Sequence, residues 1–393
     1  MQLMLEQSIQ SLLQWVERHD YKGYEPSDGN LSPWHAMTFN RPLLERILQQ
    51  VVWKSPVDLR RLLAVPMHRS TKGTGYMAWG YVVMFQNTGD TRYREAAESC
   101  FDWLLANTSP RCAHACWGDS FPFSSRGGRR EAFEPTLVWS SLIGQALLDG
   151  YETFGHPRYL AAVAGVCDWI KQLPRNETGT GLCLGYTAQG QSTIHNANML
   201  GAALLARWGS IARDAEALDL ARAAMTFSCA MQAKDGAWAY GEGDKWAWID
   251  SFHTGYNLDS LRVYLDATGD TEFAPHLERG QCFFADRFFE PDGRPRYYYD
   301  RIYPIDIQSC SQAIETLARF SDAEPRLLGM ARRTAAWTLT HMQDADGHFY
   351  YRDLGWTKLK TPMLHWGQAT MFKALACLRR VEAGMREAVV QHV

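Results

Sequence analysis

The chain carries no basic stripe and almost no charge imbalance: 40 Lys and Arg stand against 43 Asp and Glu, a formal net charge of −3 over 393 residues. Nucleic-acid binders cluster cations to neutralise phosphates, so a nucleic-acid partner is not expected. No apolar run approaches the length of a membrane span, and none is predicted to cross a bilayer. Met1 to Arg18 is amphipathic and carries Glu6, Glu17 and Arg18, unlike a signal-peptide core. A disulfide framework is also lacking: the 9 Cys are an odd number, and Cys100, Cys167, Cys229 and Cys377 fall inside helical patterns, as reduced thiols of a cytoplasmic protein would. Cys112-Ala-His114-Ala-Cys116 has neither the usual zinc spacing nor a second ligand pair, so no metal or cofactor is expected.

What the chain does have is aromatic residues, 12% of the total with 15 Trp and 17 Tyr, and two alternating kinds of helical pattern. Thr91 to Asn107 places Tyr93, Ala96, Ala97, Cys100, Phe101 and Leu104 on one stripe at helical spacing, with charges opposite. Pro157 to Leu173 repeats it, and Phe101-Asp102-Trp103 returns as Cys167-Asp168-Trp169. One-sided helices are also predicted over Leu3–Arg18, Ala215–Met231, Phe273–Phe289 and Pro325–Met342. Between them Tyr76–Phe85, Leu137–Tyr151, Met199–Trp208, Tyr256–Leu265, Ile307–Phe320 and Ala369–Leu378 are apolar nearly all round and should be sandwiched. The predicted fold is all-α, an (α/α)6 toroid with an inner ring wrapped by an outer one, because no single hairpin could bury its apolar face alone. A single domain over residues 1–393 is expected, with 21–66 a long first-loop insertion across the rim.

Inner-to-outer turns are short and carry Gly signals at Gly89, Gly155 and Gly269, whereas the outer-to-inner loops are long and must share one face. Those loops share a text. Met231-Gln232…Asp235-Gly236-Ala-Trp238-Ala-Tyr240 is echoed by Met342-Gln343…Asp346-Gly347-His-Phe349-Tyr350-Tyr351, and more loosely by Asp292-Gly293…Tyr297-Tyr298-Tyr299. Asp-Gly followed by alternating aromatics predicts a tight turn and a short hairpin.

Hairpins of this kind, Gln-x-x-Asp-Gly-x-aromatic loops and acids or histidines ahead of the inner helices resemble the six-hairpin glycosidase superfamily. Within it, His195-Asn196-Ala-Asn198, Ile249-Asp250-Ser-Phe-His253-Thr-Gly-Tyr256, Tyr303-Pro-Ile-Asp306 and His365-Trp366-Gly-Gln368 resemble a family encoded among bacterial exopolysaccharide and capsule biosynthesis genes. The resemblance spans nearly the whole chain after Asp58 and implies a glycan context, with polysaccharide assembly proteins as partners. Asp250-x-x-His253-Thr254-x-Tyr256 is also similar to prenyltransferase β-subunit toroids, but the cysteine partner those use for zinc is missing here.

The reaction expected first is hydrolysis of an acidic, uronate-containing glycan. Inner-helix N-termini aim positive dipole ends at the loop face, and Arg69, Lys72 and Arg301 lie in the same loops. Hydrolysis needs two carboxyls, so Asp250 is assigned as acid and Asp306 as base, with His253 supplementing the acid and His195 beside them. Trp117, Asp119, Glu134, Tyr186, Asn196, Asn198, Trp248, Tyr256, Tyr299, Arg301, Tyr303, His365, Trp366 and Lys72 are expected to line the substrate cleft. Each has a structural alternative: Asp250 and Asp306 as helix caps, His195 as a satisfied buried histidine, Glu134 as a solvated loop acid. A uronate epimerase or lyase working through His253 or His195 and Tyr256 is the rival chemistry. A non-catalytic glycan-binding scaffold is the rival without chemistry.

Overall fold

The two helical patterns become two rings in the computed structural model, which describes residues 1–125 and 127–390. The inner helices are α3 (Thr71–Thr88), α5 (Leu137–Phe154), α7 (His195–Ala212), α9 (Ser251–Thr268), α11 (Ile307–Arg319) and α13 (Thr370–Val390). Each packs on the next, and α13 returns to α3, so the ring closes. The outer helices α4 (Thr91–Ala106), α6 (Pro157–Lys171), α8 (Ala215–Ala230), α10 (Ala274–Arg287) and α12 (Arg326–Met342) each back onto the preceding inner helix, and α1 (Gln2–Arg18) completes the outer ring against α13. This is the predicted (α/α)6 toroid. On α4, Ala97, Cys100, Phe101 and Leu104 are buried, whereas Tyr93 and Ala96 pack at its edge.

The Asp-Gly turns tie one hairpin to the next. Gly347 has φ +104°, and a Cβ there would lie 2.2 Å from Ser11 O on α1, so the backbone of the last long loop seats directly on the first helix. Gly236 makes the same approach to Arg279 O on α10. The ring is thus closed by loops as well as helices. Sheet is confined to short pieces. β1 (Phe123–Ser125) pairs with β2 (Gly128–Arg130), and β3 (Arg175–Thr178) with β4 (Gly181–Leu184), both antiparallel. A small antiparallel sheet runs β5 (Ile305–Asp306), β6 (Arg352–Asp353), β7 (Lys358–Leu359). The expected hairpins after the Asp-Gly turns shrink to isolated bridges such as Gln343 to Phe349.

Helix starts differ from the sequence expectation in a way that matters for the site. α7 begins at His195 rather than Met199, and α9 at Ser251 rather than Tyr256. His195, Asn196, Asn198 and His253 therefore lie in first helical turns rather than in loops. His365 and Trp366 sit in a π-helical turn, Leu364–Ala369, that leads into α13. The segment 21–66 is not irregular throughout: it holds two 3-10 turns and α2 (Pro42–Lys54). It is pinned by a buried Asp28–Arg60 ion pair at 3.0 Å, by Ser124 and Arg129 on Glu45, and by Trp53 donating to the Tyr351 hydroxyl.

Candidate functional site

Asp250 is the N-cap of α9: its Oδ1 accepts from the His253 N–H at 2.9 Å. Its Oδ2 accepts from Trp248 Nε1–H at 3.0 Å and lies 2.7 Å from His253 Nδ1. The carboxylate is buried and its oxygens are committed to the chain. What it presents outward is the imidazole, which is partly exposed, packed against Tyr240 and Phe252, and makes no hydrogen bond through Nε2 among the described residues.

A second carboxyl–histidine pair stands at the π-helical turn that leads into α13. Glu25, from the first loop, has Oε2 3.4 Å from His365 Nδ1, while its Oε1 accepts from the His365 N–H at 3.2 Å and from the Ser70 hydroxyl at 2.6 Å. Burial raises the Glu25 carboxyl above its usual range. Burial, helped by the Lys72 ammonium, pushes the His365 imidazole well below its usual value, so that ring is neutral; its buried Nε2 has no partner among the described residues. The two histidines are linked through the ring centre. His253 neighbours Tyr256, whose hydroxyl meets the Tyr76 hydroxyl at 2.8 Å, and Tyr76 stacks on His365. Phe252 and Trp366 touch edge to face between them.

Cations and an acid complete this surface. Lys72, in the first turn of α3, is lowered by burial to about 8 and lies 4.5 Å from the Trp139 ring centroid. Arg130 stands over Phe123 and Tyr186, with one buried Nη1 unpartnered. Asp119 makes no side-chain hydrogen bond among the described residues, and burial raises its carboxyl to about 6 against the pull of Arg130 and Lys72. Tyr240 stacks on Trp248 at 4.4 Å and forms the aromatic wall beside His253.

Several expected members lie elsewhere or are used structurally. Asp306 caps α11 through Gln308 N–H at 3.0 Å and accepts from Arg352 Nε and Nη2 at 3.0 and 2.7 Å, which leaves it no free face. His195 turns outward to α8, 2.8 Å from Glu242 Oε1 and 3.2 Å from the Ser228 hydroxyl. Asn198 ties Leu184 N–H, Ala224 O and Ser228, whereas Asn196 is buried with Oδ1 unpartnered. Trp117 is core, its Nε1–H given to Leu104 O. Glu134 accepts from the Glu131 N–H and is buried rather than solvated. Arg69 lies between Tyr21 and Trp103. Arg301 is exposed and paired with Asp300, and Tyr299 and Tyr303 are exposed on the same outer loop. Glu25, Arg130 and Trp139 were not foreseen as site residues; the one sequence signal was their position in long loops or at an inner-helix start.

No family model matches the sequence, and no curated protein does. Solved structures do. The chain has the (α/α)6 fold. The cellobiose 2-epimerase from Bacillus thermoamylovorans B4167 superposes with a TM-score of 0.62 at 11% identity, over 81% of this chain and 90% of that one. An unsaturated glucuronyl hydrolase specific for heparin gives 0.62 at 11% identity, over 98% and 97% of the two chains. A family 76 glycoside hydrolase from a bovine Bacteroides thetaiotaomicron strain gives 0.59 at 13%, over 81% and 69%. At these identities the likeness establishes the toroid and nothing finer.

Proposed function

We propose that this chain is a carbohydrate-processing enzyme that moves a proton at a carbon beside the carbonyl or carboxylate of an acidic sugar, an epimerase-type reaction. One observation carries the reading: His253, hydrogen-bonded through Nδ1 to Asp250, and His365, with Glu25 Oε2 3.4 Å from its Nδ1, each have Nε2 without a partner among the described residues. A carboxylate hydrogen-bonded to Nδ1 fixes the ring and the tautomer, as Asp250 does for His253, and in both histidines the free Nε2 is the atom that takes or gives a proton. His365, neutral, takes the proton from carbon through Nε2. The electron pair moves onto the adjoining carbonyl as an enolate, whose negative charge Lys72 and Arg130 stabilise. His253, protonated on Nε2 and backed by Asp250, returns a proton to the other face and inverts that carbon. The reverse direction exchanges the two roles. If a leaving group sits on the next carbon, the same enolate expels it, and the outcome is a lyase.

A second reading has its own observation. Asp119, raised to about 6 and free of hydrogen bonds, has the features of a general acid for hydrolysis of a uronyl sugar. It replaces the Asp250 and Asp306 pairing, whose oxygens are occupied by helix caps, Trp248 and Arg352. Among structures of this fold an epimerase and a uronyl hydrolase both occur. The resemblance to polysaccharide-cluster proteins supports a substrate drawn from an acidic polysaccharide, with assembly proteins as partners. Single-histidine variants test the first reading. With two bases, His253→Asn and His365→Asn each stop inversion, yet each retains solvent exchange with one of the two epimers. Hydrolysis through Asp119 predicts that neither variant shows exchange and that Asp119→Asn abolishes new reducing ends.

A further inference from the structure

The helix α2 is two-faced in an unusual sense. Its inner face carries Glu45, Gln49 and Val52, all buried, and Trp53 reaches Tyr351 and Trp366 at the rim of the site. Its outer face is apolar as well: Leu43, Ile47 and Val51, four residues apart, are 69%, 50% and 47% exposed. Trp34, Phe39 and Leu62 from the flanking turns add to the same segment, Phe39 and Leu62 at 77% exposure. An open groove of about 570 Å³ runs along α2 between Leu43 and Leu59, with Arg46 and Lys54 among its walls. Apolar residues exposed together along one helix and its groove, unlike singly exposed ones such as Leu3 and Trp356 elsewhere, mark an interaction site.

The charges decide what covers it. Between Pro33 and Leu62 the acids are Glu45 and Asp58. Glu45 is buried beneath Arg129 and His35, and Asp58 is engaged by Arg60 and Thr361. Arg41, Arg46, Lys54 and Arg61 make no ion pair among the described residues, so the patch is cationic on a chain whose net charge is −3. A two-fold contact between copies would lay these cations against themselves with no acid opposite. An anionic bilayer supplies both complements, lipid phosphates for the cations and an acyl boundary for the exposed Trp, Phe and Leu. No helix of the described residues is long and apolar enough to cross a membrane, so contact is peripheral.

We infer that the α2 face docks this protein on an anionic lipid surface, holding the long-loop end of the toroid toward the bilayer. The inference does not depend on the reaction proposed above. The test is co-sedimentation of the full chain with vesicles of phosphatidylcholine alone and of phosphatidylcholine with phosphatidylglycerol. Binding to the anionic vesicles only, weakened by salt, is expected. Leu43→Glu with Ile47→Glu should abolish it, and Arg46→Glu with Lys54→Glu should weaken it by roughly fivefold or more for each cation removed. None of the four side chains is buried, and circular dichroism melts check that the variants fold. No binding to either vesicle, or equal binding to both, overturns the inference. So does wild-type self-association in sedimentation that Leu43→Glu with Ile47→Glu abolishes while vesicle binding is absent.

Discussion

Asp250 Oδ2 lies 2.7 Å from His253 Nδ1 while Asp250 Oδ1 holds the His253 N–H, so one carboxylate fixes both the backbone and the ring of the same residue. Capping and orientation are a single device. Asp250→Asn should keep the cap, since Asn is as good an N-cap, and change unfolding free energy by only about 1 kcal/mol. Activity should nevertheless fall by about 10²-fold or more, because the amide no longer holds the imidazolium. Chemical denaturation beside a turnover assay separates the two effects. Unchanged turnover would mean that His253 does not carry protons.

Asp306 is expected to behave in the opposite way. Asp306→Ala leaves the Arg352 guanidinium buried without its partner, and breaking such a pair costs about 3–5 kcal/mol. Its effect should therefore appear in a melt before it appears in kcat. Abolished turnover in a variant as stable as the wild type would restore Asp306 as a catalytic base.

The pH dependence of ligand binding follows from two groups. Asp119, raised to about 6, gains its negative charge as pH climbs through that value, and Lys72, lowered to about 8, loses its positive charge above it. The first repels an anion and the second removes an attraction to it. Affinity for a uronate oligosaccharide should fall as pH rises through 6 and again through 8, and calorimetry at three pH values reads it. Lys72→Arg should remove the upper step, since a guanidinium stays charged. The stability sign for Lys72 is opposite: the unfolded chain keeps its proton up to about 10.5, so this group makes stability rise with pH between 8 and 10.5.

The toroid was legible because its determinants are local and periodic. The stripe through Ala97, Cys100, Phe101 and Leu104 fixes which face of α4 is buried, and the all-round apolar helices have nowhere to lie but between neighbours. The Asp250–His253 pair was legible for the same reason, being three residues apart at a helix start. Glu25 was not, since it sits in a segment without periodicity and meets His365 across 340 residues. The outward turn of His195 was equally hidden. It depends on α7 starting at His195 itself, and a short apolar pattern beginning at Met199 leaves that start unspecified. Whether an acid caps a helix or faces a ligand depends on where the helix begins, the least certain feature of a sequence pattern.

Ring closure can be weighed by glycine substitutions. Gly347→Ala introduces a Cβ into the Ser11 backbone at φ +104° and should cost about 1–3 kcal/mol from backbone strain, with steric displacement of α1 added. Gly89→Ala, at φ +66° with open space around it, should cost only about 1 kcal/mol. Equal destabilisation in thermal melts would mean that the last loop does not clamp the first helix.

The most direct test is the fate of one proton. Wild-type protein is incubated in D2O with a panel of uronate-containing oligosaccharides, and the products are followed by proton and deuterium NMR. A two-base mechanism through His253 and His365 predicts deuterium at the carbon beside the carboxylate or carbonyl, with that centre inverted and no increase in reducing ends. New reducing ends without deuterium at that carbon would contradict the account and assign the chemistry to Asp119.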